Sequence, residues 1–301
     1  MEKEQKILVT GSEGMVGSLL VEKLESLGFN RIIKCKRDVV DLRVQSSVND
    51  FFESEKPDIV FSLAANVGGI MANVKNPTSF LYDNLMMSFN VIHASYLNSV
   101  SKLLYLGSSC IYPRNCNQPM KENELLNGKL EPTNEGYALA KISSIKLCEF
   151  YSKTQGCNFI SIIPPNLYGP RDNFSEESSH VISALIRKFH KAKINDDSEV
   201  EVWGTGKAKR EFLFNLDLVE GLIFVMKNYN STSHANMGSG TDISIEKLVE
   251  LVSNIVGFQG KIIWDSKKPD GMPRKLMNSD NLFERGWKPK TNLKEGIILT
   301  Y

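Results

Sequence analysis

Tyr137 and Lys141 stand four residues apart in Tyr137-Ala-Leu-Ala-Lys141, a spacing that puts both side chains on one face of a helix. An ammonium beside a phenol favours the phenolate and lowers a pKa that starts near about 10. Each tenfold gain in acidity takes roughly 1.4 kcal/mol, so a modest stabilisation brings proton exchange close to neutral pH. Such a pair suits proton transfer to or from an alcohol or ketone. It also occurs as an ordinary surface pair, and only its surroundings give it meaning. About thirty residues upstream, Leu106-Gly107-Ser108-Ser109-Cys110-Ile111-Tyr112-Pro113 ends an apolar run with a serine. A serine at the carboxyl end of a strand points into the crevice where open parallel sheets bind ligands.

A second constellation precedes it. Gly11-Ser-Glu-Gly14-Met-Val-Gly17 lies between the apolar Ile7-Leu8-Val9 and a helical pattern from Met15 to Leu27. There Gly11 permits a tight turn, Gly14 admits a pyrophosphate to the backbone, and Gly17 lets helix and strand pack closely. Met15 and Val16 open the helix whose N–H groups would hold the phosphates. A plain tight turn is the alternative.

The second strand runs into Lys34-Cys35-Lys36-Arg37-Asp38. Basic residues there suit the 2′-phosphate of NADP, whereas an acid suits the 2′-hydroxyl of NAD. Lys36 and Arg37 favour NADP/NADPH, while Glu13 in the glycine loop would repel a 2′-phosphate. Asp41 and Leu42 are expected to border the adenine, and the small Ala64 and Ala65 to meet the cofactor at the end of the third strand.

Strand and helix alternate through the first half. Short apolar runs at 7–9, 31–33, 58–61, 102–106 and 159–163 are separated by helical patterns at 44–55, 77–97 and 135–154. This predicts an α/β protein with a doubly wound, Rossmann-type parallel sheet covered by helices on both faces. After Pro164-Pro165 the rhythm breaks into turns, short strands such as 200–203, and helices near 180–192, 216–226 and 245–256. The expected organisation is a dinucleotide-binding domain over 1–164 and a smaller C-terminal α/β substrate lobe over 165–301, some of whose segments return to the first domain.

The composition excludes several classes. The chain has 301 residues, with 36 Lys and Arg against 35 Asp and Glu and a net charge of +1. Nothing in that balance suggests nucleic acid or a polybasic membrane anchor as a partner. Apolar runs fall short of a membrane span, and the charged Met1–Lys6 segment leads directly into a strand with no secretory signal. Five cysteines, an odd number without metal or disulfide spacing, read as free thiols of a cytoplasmic protein; no metal site is expected. The final residues look like a helix in progress, so the native chain is expected to continue.

Glycine loop, serine-bearing strand end and Tyr-x-x-x-Lys together resemble the extended short-chain dehydrogenase/reductase superfamily of nucleotide-sugar enzymes. Further segments narrow the resemblance to its GDP-L-fucose synthase family: Gly107–Pro113, Glu131-Pro-Thr-Asn134, Asn166-Leu-Tyr-Gly-Pro170, Asp172-Asn-Phe174, Ser179-His-Val181, Arg210-Glu-Phe-Leu213, Lys268-Pro-Asp-Gly271 and Pro273-Arg-Lys275. The resemblance runs from the glycine loop almost to the C-terminus.

It implies a homodimer that uses NADPH to reduce C4 of a GDP-4-keto-6-deoxy sugar, with epimerisation at C3 and C5. Ser108, Tyr137 and Lys141 would be catalytic, with Lys141 also holding the nicotinamide ribose. Cys110 and His180 would be the epimerising base and acid, and His180 would also border the cofactor. Asn166 and Leu167 would lie by the nicotinamide and sugar. Val181, Lys188, Trp203, Arg210 and Lys275 would grip the GDP portion; the planar fork of Arg210 suits a diphosphate. His93, His190 and His234 belong to no motif and read as structural.

Glu13 and Lys188 stand where the family has arginines, and Pro165, Arg171 and Phe214 also depart from its pattern. Hexose and 6-deoxyheptose substrates therefore both stay open, as does a reductase that does not epimerise. A 4-epimerase and a silent NADP sensor are the remaining alternatives. A 4,6-dehydratase would need an acid beside Ser108, where Ser109-Cys110-Ile111 offers none.

Overall fold

Largely apolar tetrads and pentads make five of the six strands of the central sheet. The computed structural model describes residues 1–301 apart from Glu177 and Pro269, so the second position of the Lys268–Gly271 motif lies outside the described residues. The first half runs β1 (Ile7–Thr10), α1 (Met15–Ser26), β2 (Ile32–Cys35), α2 (Gln45–Glu55), β3 (Ile59–Ser62), α3 (Ile70–Lys75), α4 (Pro77–Leu97), β4 (Lys102–Leu106), α5 (Glu135–Gln155) and β5 (Phe159–Ile163). The second half runs β6 (Asn166–Tyr168), α6 (Val181–Ile194), β7 (Glu199–Trp203), β8 (Lys209–Phe214), α7 (Asn215–Asn228), β9 (Ala235–Asn236), β10 (Asp242–Ser244), α8 (Ile245–Val256), β11 (Lys261–Asp265), β12 (Arg274–Lys275), α9 (Asp280–Glu284) and α10 (Leu293–Thr300).

Six strands form one sheet in the order β2-β1-β3-β4-β5-β9, every neighbouring pair parallel. β1, β3, β4 and β5 are buried along their whole length, as a sheet covered on both faces requires. Alternate residues serve opposite cores. Ile7 and Val9 pack with Leu20, Leu24, Leu218 and Leu222 of α1 and α7, while Leu8 packs with Phe52, Ile92 and Ile145 of α2, α4 and α5. Strand order reverses between β1 and β3, and the carboxyl ends there open the crevice in which such sheets bind ligands.

A third core is built on α6, α8, β7 and β8 around Phe189, Phe212, Leu248 and Val252. β8 is its hub. It pairs antiparallel with β10 and parallel with β12 and β6, so Arg210 and Lys275 are direct register partners. β7 pairs with β11. β9 crosses back to complete the central sheet beside β5. The predicted strands and helices of the first half appear within a few residues of their expected bounds. β6, β8 and β9 had no periodic signal of their own, being two to six residues long. No helix among the described residues is long and apolar enough to cross a membrane.

Candidate active site

The glycine loop forms the first wall. Gly11 has φ +68°, and a Cβ there would lie 2.9 Å from the Ala64 Cα; a Cβ at Gly17 would lie 2.0 Å from the Gly11 carbonyl oxygen. Both positions therefore exclude side chains. A Cβ at Gly14 would meet only the Gly11 oxygen at 3.3 Å, so the outer side of this residue is free for a ligand. α1 begins at Gly14 with no side-chain cap, leaving its first N–H groups without the usual acceptor. Thr10 accepts from the N–H groups of Leu63 and Ala64 at 3.0 and 3.1 Å, which holds Ala64 and Ala65 beside the loop. This uncapped, backbone-lined cradle fits the pyrophosphate of a dinucleotide.

At its adenosine end, Lys36 does not stand free: its ammonium pairs with Glu13 at 3.2 Å. Asp41 accepts from both the guanidinium and the backbone N–H of Arg43 and is held down to about pKa 2 by those bonds, and Leu42 is buried.

Ser108, Cys110, Tyr137 and Lys141 meet at the carboxyl end of β4. Ser108 opens a 3-10 turn over Ser109–Ile111 that buries Cys110. Burial pushes the Cys110 thiol up, while Lys275, the Ser108 hydroxyl and Lys141 pull the other way. Lys141, buried on α5, donates to the Leu106 carbonyl at 2.8 Å and sits 5.6 Å from the centre of the Tyr137 ring. Burial drops it to about pKa 8, opposed by Cys110.

Tyr137 differs from its expected state. Burial pushes its phenol well above 10, and Cys110 and Tyr105 push the same way. The reason is geometric. The Lys141 ammonium lies nearer the Tyr105 ring, at 4.8 Å from its centre, and donates to a carbonyl rather than to the phenol oxygen. The Tyr137 hydroxyl is thus held protonated, the state of a proton donor.

His180 occupies the N-cap position of α6 without a side-chain capping bond. Its Nδ1 is buried without a hydrogen bond and faces Asp172 Oδ1 at 3.7 Å. Asp172 accepts from the Asn173 N–H at 2.7 Å and from the Ser183 hydroxyl, which fix the carboxylate behind the imidazole. Asn166 on β6 donates to the Glu211 carbonyl at 3.1 Å, and Leu167 packs into the core beside it.

Arg210 and Lys275 project from paired strands, and burial lowers the pKa of each. Arg210 donates to the Asp270 carbonyl at 2.9 Å, and the same residue's carboxylate accepts from the Thr205 N–H and hydroxyl at 2.7 and 2.6 Å. Lys188 on α6 donates to the Glu201 carbonyl at 3.1 Å and lies 5.4 Å over the exposed Trp203 ring; Lys268 lies 5.0 Å over the same ring. An open indole flanked by two ammoniums is a face for an aromatic base that carries phosphates. Val181 is the first residue of α6, next to His180.

The NAD dependent epimerase/dehydratase family model matches residues 7–238, which span the glycine loop, the serine-bearing end of β4, the Tyr137–Lys141 helix and β9. The chain belongs to this family. Within the epimerase/dehydratase family it is 52% identical over 301 residues to a probable GDP-L-fucose synthase 1 of Oryza sativa subsp. japonica, covering 100% of this chain and 92% of that one. Among solved structures it resembles a GDP-6-OMe-4-keto-L-xylo-heptose reductase of C. jejuni, with TM-score 0.94 and 36% identity over 100% of this chain and 97% of the other. It also resembles a GDP-mannoheptose C4 reductase from Campylobacter jejuni with NADP bound, with TM-score 0.92 and 38% identity over 100% and 98%.

Four further residues of this epimerase/dehydratase chain adjoin the site without having been singled out. Asp172 backs His180, and Lys268 flanks Trp203. Glu131 is a buried carboxylate acting on both Lys275 and Arg210; its Oε1 accepts from the Thr133 hydroxyl at 3.1 Å. Glu211 accepts from the Gly240 N–H at 2.8 Å and the Met277 N–H at 2.9 Å, tying β8 to the segments on either side of it. The only sequence signal was an acid or base inside each quoted motif, which does not say what it touches. His93, His190 and His234 contact Tyr151, Tyr301 and Tyr112.

Proposed function

We propose that this chain is an NADPH-dependent C4 reductase of a GDP-linked 4-keto-6-deoxy sugar, which it first epimerises at C3 and C5. The observation that carries this reading is the joining of Ser108, Cys110, Tyr137 and Lys141 at one buried strand end, with Lys275 alongside. Full-length similarity to a GDP-L-fucose synthase and to GDP-heptose reductases supports GDP as the carrier.

Protons at C3 and C5 flank the 4-ketone, so removing one leaves an enolate whose oxygen needs donors. Ser108 and the protonated Tyr137 supply them. Cys110 takes the proton, its thiolate favoured by Lys275 and Ser108 against the cost of burial. His180 returns a proton to the opposite face, with Asp172 orienting its ring. Bound NADPH supplies a hydride for C4. Tyr137 then protonates the C4 oxygen, and Lys141 steadies the negative charge left on the phenol. The glycine loop, with Lys36 and Arg37, holds NADPH. Trp203, Lys188 and Lys268 face the guanine end, and Arg210 and Lys275 the diphosphate.

The protein works as a homodimer in the cytoplasm. The outer sides of α4 and α5 leave Tyr82, Leu97, Leu139 and Phe150 exposed, apolar surface that a second copy would cover. Its five free cysteines fit a reducing compartment.

Similarity to heptose reductases favours a second reading, reduction of a GDP-4-keto-6-deoxyheptose without epimerisation. One experiment separates the two. The protein is incubated with NADPH and GDP-4-keto-6-deoxymannose in D₂O, and the product is examined by mass spectrometry and NMR. Nicotinamide oxidation with deuterium at C3 and C5 supports the coupled enzyme. Oxidation without deuterium leaves a C4 reductase. No reaction, followed by turnover of the heptose analogue, supports the second reading.

A further inference from the structure

A carboxylate and a cation pair where the epimerase/dehydratase fold receives an adenosine ribose, and a second cation is next in sequence. Ser12 donates to the Cys35 carbonyl at 3.2 Å, which staples the glycine loop to the end of β2. Directly beyond that staple, Glu13 Oε1 meets Lys36 Nζ at 3.2 Å, with the two side chains 63% and 44% exposed. Arg37 follows in sequence and lies near enough to Asp41 to act on its carboxylate, but Asp41 is already bonded to Arg43 at 2.7 Å. Lys34 is taken up by Glu25 at 2.8 Å. The Glu13–Lys36 pair and Arg37 are therefore left to read the ribose, with the exposed Asp38 next in sequence.

A carboxylate at this place accepts the 2′-hydroxyl of NAD, and cations accept the 2′-phosphate of NADP. A site normally offers one or the other. Here both are present and bonded to each other, on flexible side chains in solvent, where an ion pair is weak and easily exchanged.

We propose that Glu13 makes this a dual-cofactor site, binding NADH and NADPH with comparable affinity through two arrangements of one ion pair. With a 2′-hydroxyl present, Glu13 accepts its hydrogen bond and keeps Lys36. With a 2′-phosphate present, Lys36 leaves the carboxylate and joins Arg37 on the phosphate, while the like charge of Glu13 limits the gain. Glu13 is thus a specificity-determining residue that weakens discrimination for NADPH. The proposal rests on the reading of the glycine loop as a nicotinamide dinucleotide site.

The test is direct binding. Dissociation constants of NADPH and NADH are measured by isothermal titration calorimetry for the wild-type protein, Glu13→Gln and Lys36→Met at two salt concentrations. The wild type is expected to bind both nucleotides within about tenfold. Glu13→Gln should tighten NADPH by roughly threefold to tenfold, weaken NADH by a similar factor, and steepen the salt dependence of NADPH binding. Lys36→Met should weaken NADPH by roughly tenfold and NADH by much less. Wild-type NADH binding more than about 10²-fold weaker than NADPH would sink the dual reading while leaving the site's identity intact. So would a Glu13→Gln protein in which both nucleotides move by one common factor. Binding of neither nucleotide would overturn the proposal together with the reading on which it rests. Glu13 is exposed, so a thermal midpoint unchanged by Glu13→Gln verifies that the comparison is between folded proteins.

Discussion

His180 Nδ1 lies 3.7 Å from Asp172 Oδ1, and the Asp172 side chain is only 2% exposed. A proton on Nδ1 would face this buried carboxylate and, on the proposed reading, leave Nε2 to meet substrate. Asp172→Asn should lower deuterium incorporation into the sugar roughly 10- to 10²-fold, a fraction of what a positioned acid contributes. Reduction of an already epimerised ketone should be nearly unchanged. Equal loss of both rates would show that Asp172 merely supports the fold.

Desolvation pushes the Tyr137 phenol well above 10, and on the proposed reading its hydroxyl supplies the proton that ends reduction. Tyr137→Phe should reduce turnover by about 10²–10⁴. NADPH binding, followed by calorimetry, should persist because the glycine loop is untouched. A variant that turns over at the wild-type rate would refute this role.

On the proposed reading, Cys110 and His180 divide the epimerisation between them. Cys110→Ser or His180→Asn should abolish exchange at C3 and C5 while sparing hydride transfer to a pre-epimerised ketone. NMR of the product in D₂O separates the two activities. Exchange that continues in both variants would make these residues bystanders.

Lys141 gives a prediction in pH. Its pKa falls from 10.5 to about 8 on burial. Between those values the unfolded chain holds a proton that the folded protein has released, so this residue makes stability rise with pH across that window. Buried thiols such as Cys35, pushed from 9.0 to about 12, act in the opposite direction above their unfolded value. The informative quantity is therefore the difference between wild type and Lys141→Met. Urea midpoints should show the wild type gaining on the variant from about pH 8 to 10; a constant difference would mean that Lys141 titrates normally.

Glu211 clamps the strand that carries Arg210 to the segment that carries Lys275. Glu211→Ala leaves the Gly240 and Met277 N–H groups unpaired and should cost about 2–5 kcal/mol, read from denaturant unfolding. The isosteric Glu211→Gln keeps one acceptor oxygen and should recover part of that loss. An alanine variant as stable as the wild type would show that the N–H groups find other partners.

Local patterns in the sequence determined a good deal of this protein. The run Ile7-Leu8-Val9, the glycines at 11, 14 and 17 and the next helix specify a strand, turn and helix through steric limits that act within a dozen or so residues. The spacing of Tyr137 and Lys141 likewise requires only a helix. Tertiary structure decided everything that depends on distant partners. β8 has weak local character and exists as a hub because β6, β10 and β12 dock on it. Lys36 and Glu13 are 23 positions apart, yet they form a pair because β2 lies beside β1. The state of Tyr137 was set by desolvation, which outweighed the helical neighbour once Lys141 had turned to the Leu106 carbonyl. Spacing along the chain fixes which groups can meet. Burial, and competition among their hydrogen-bond partners, fixes their charge and orientation, and both act only in the folded molecule.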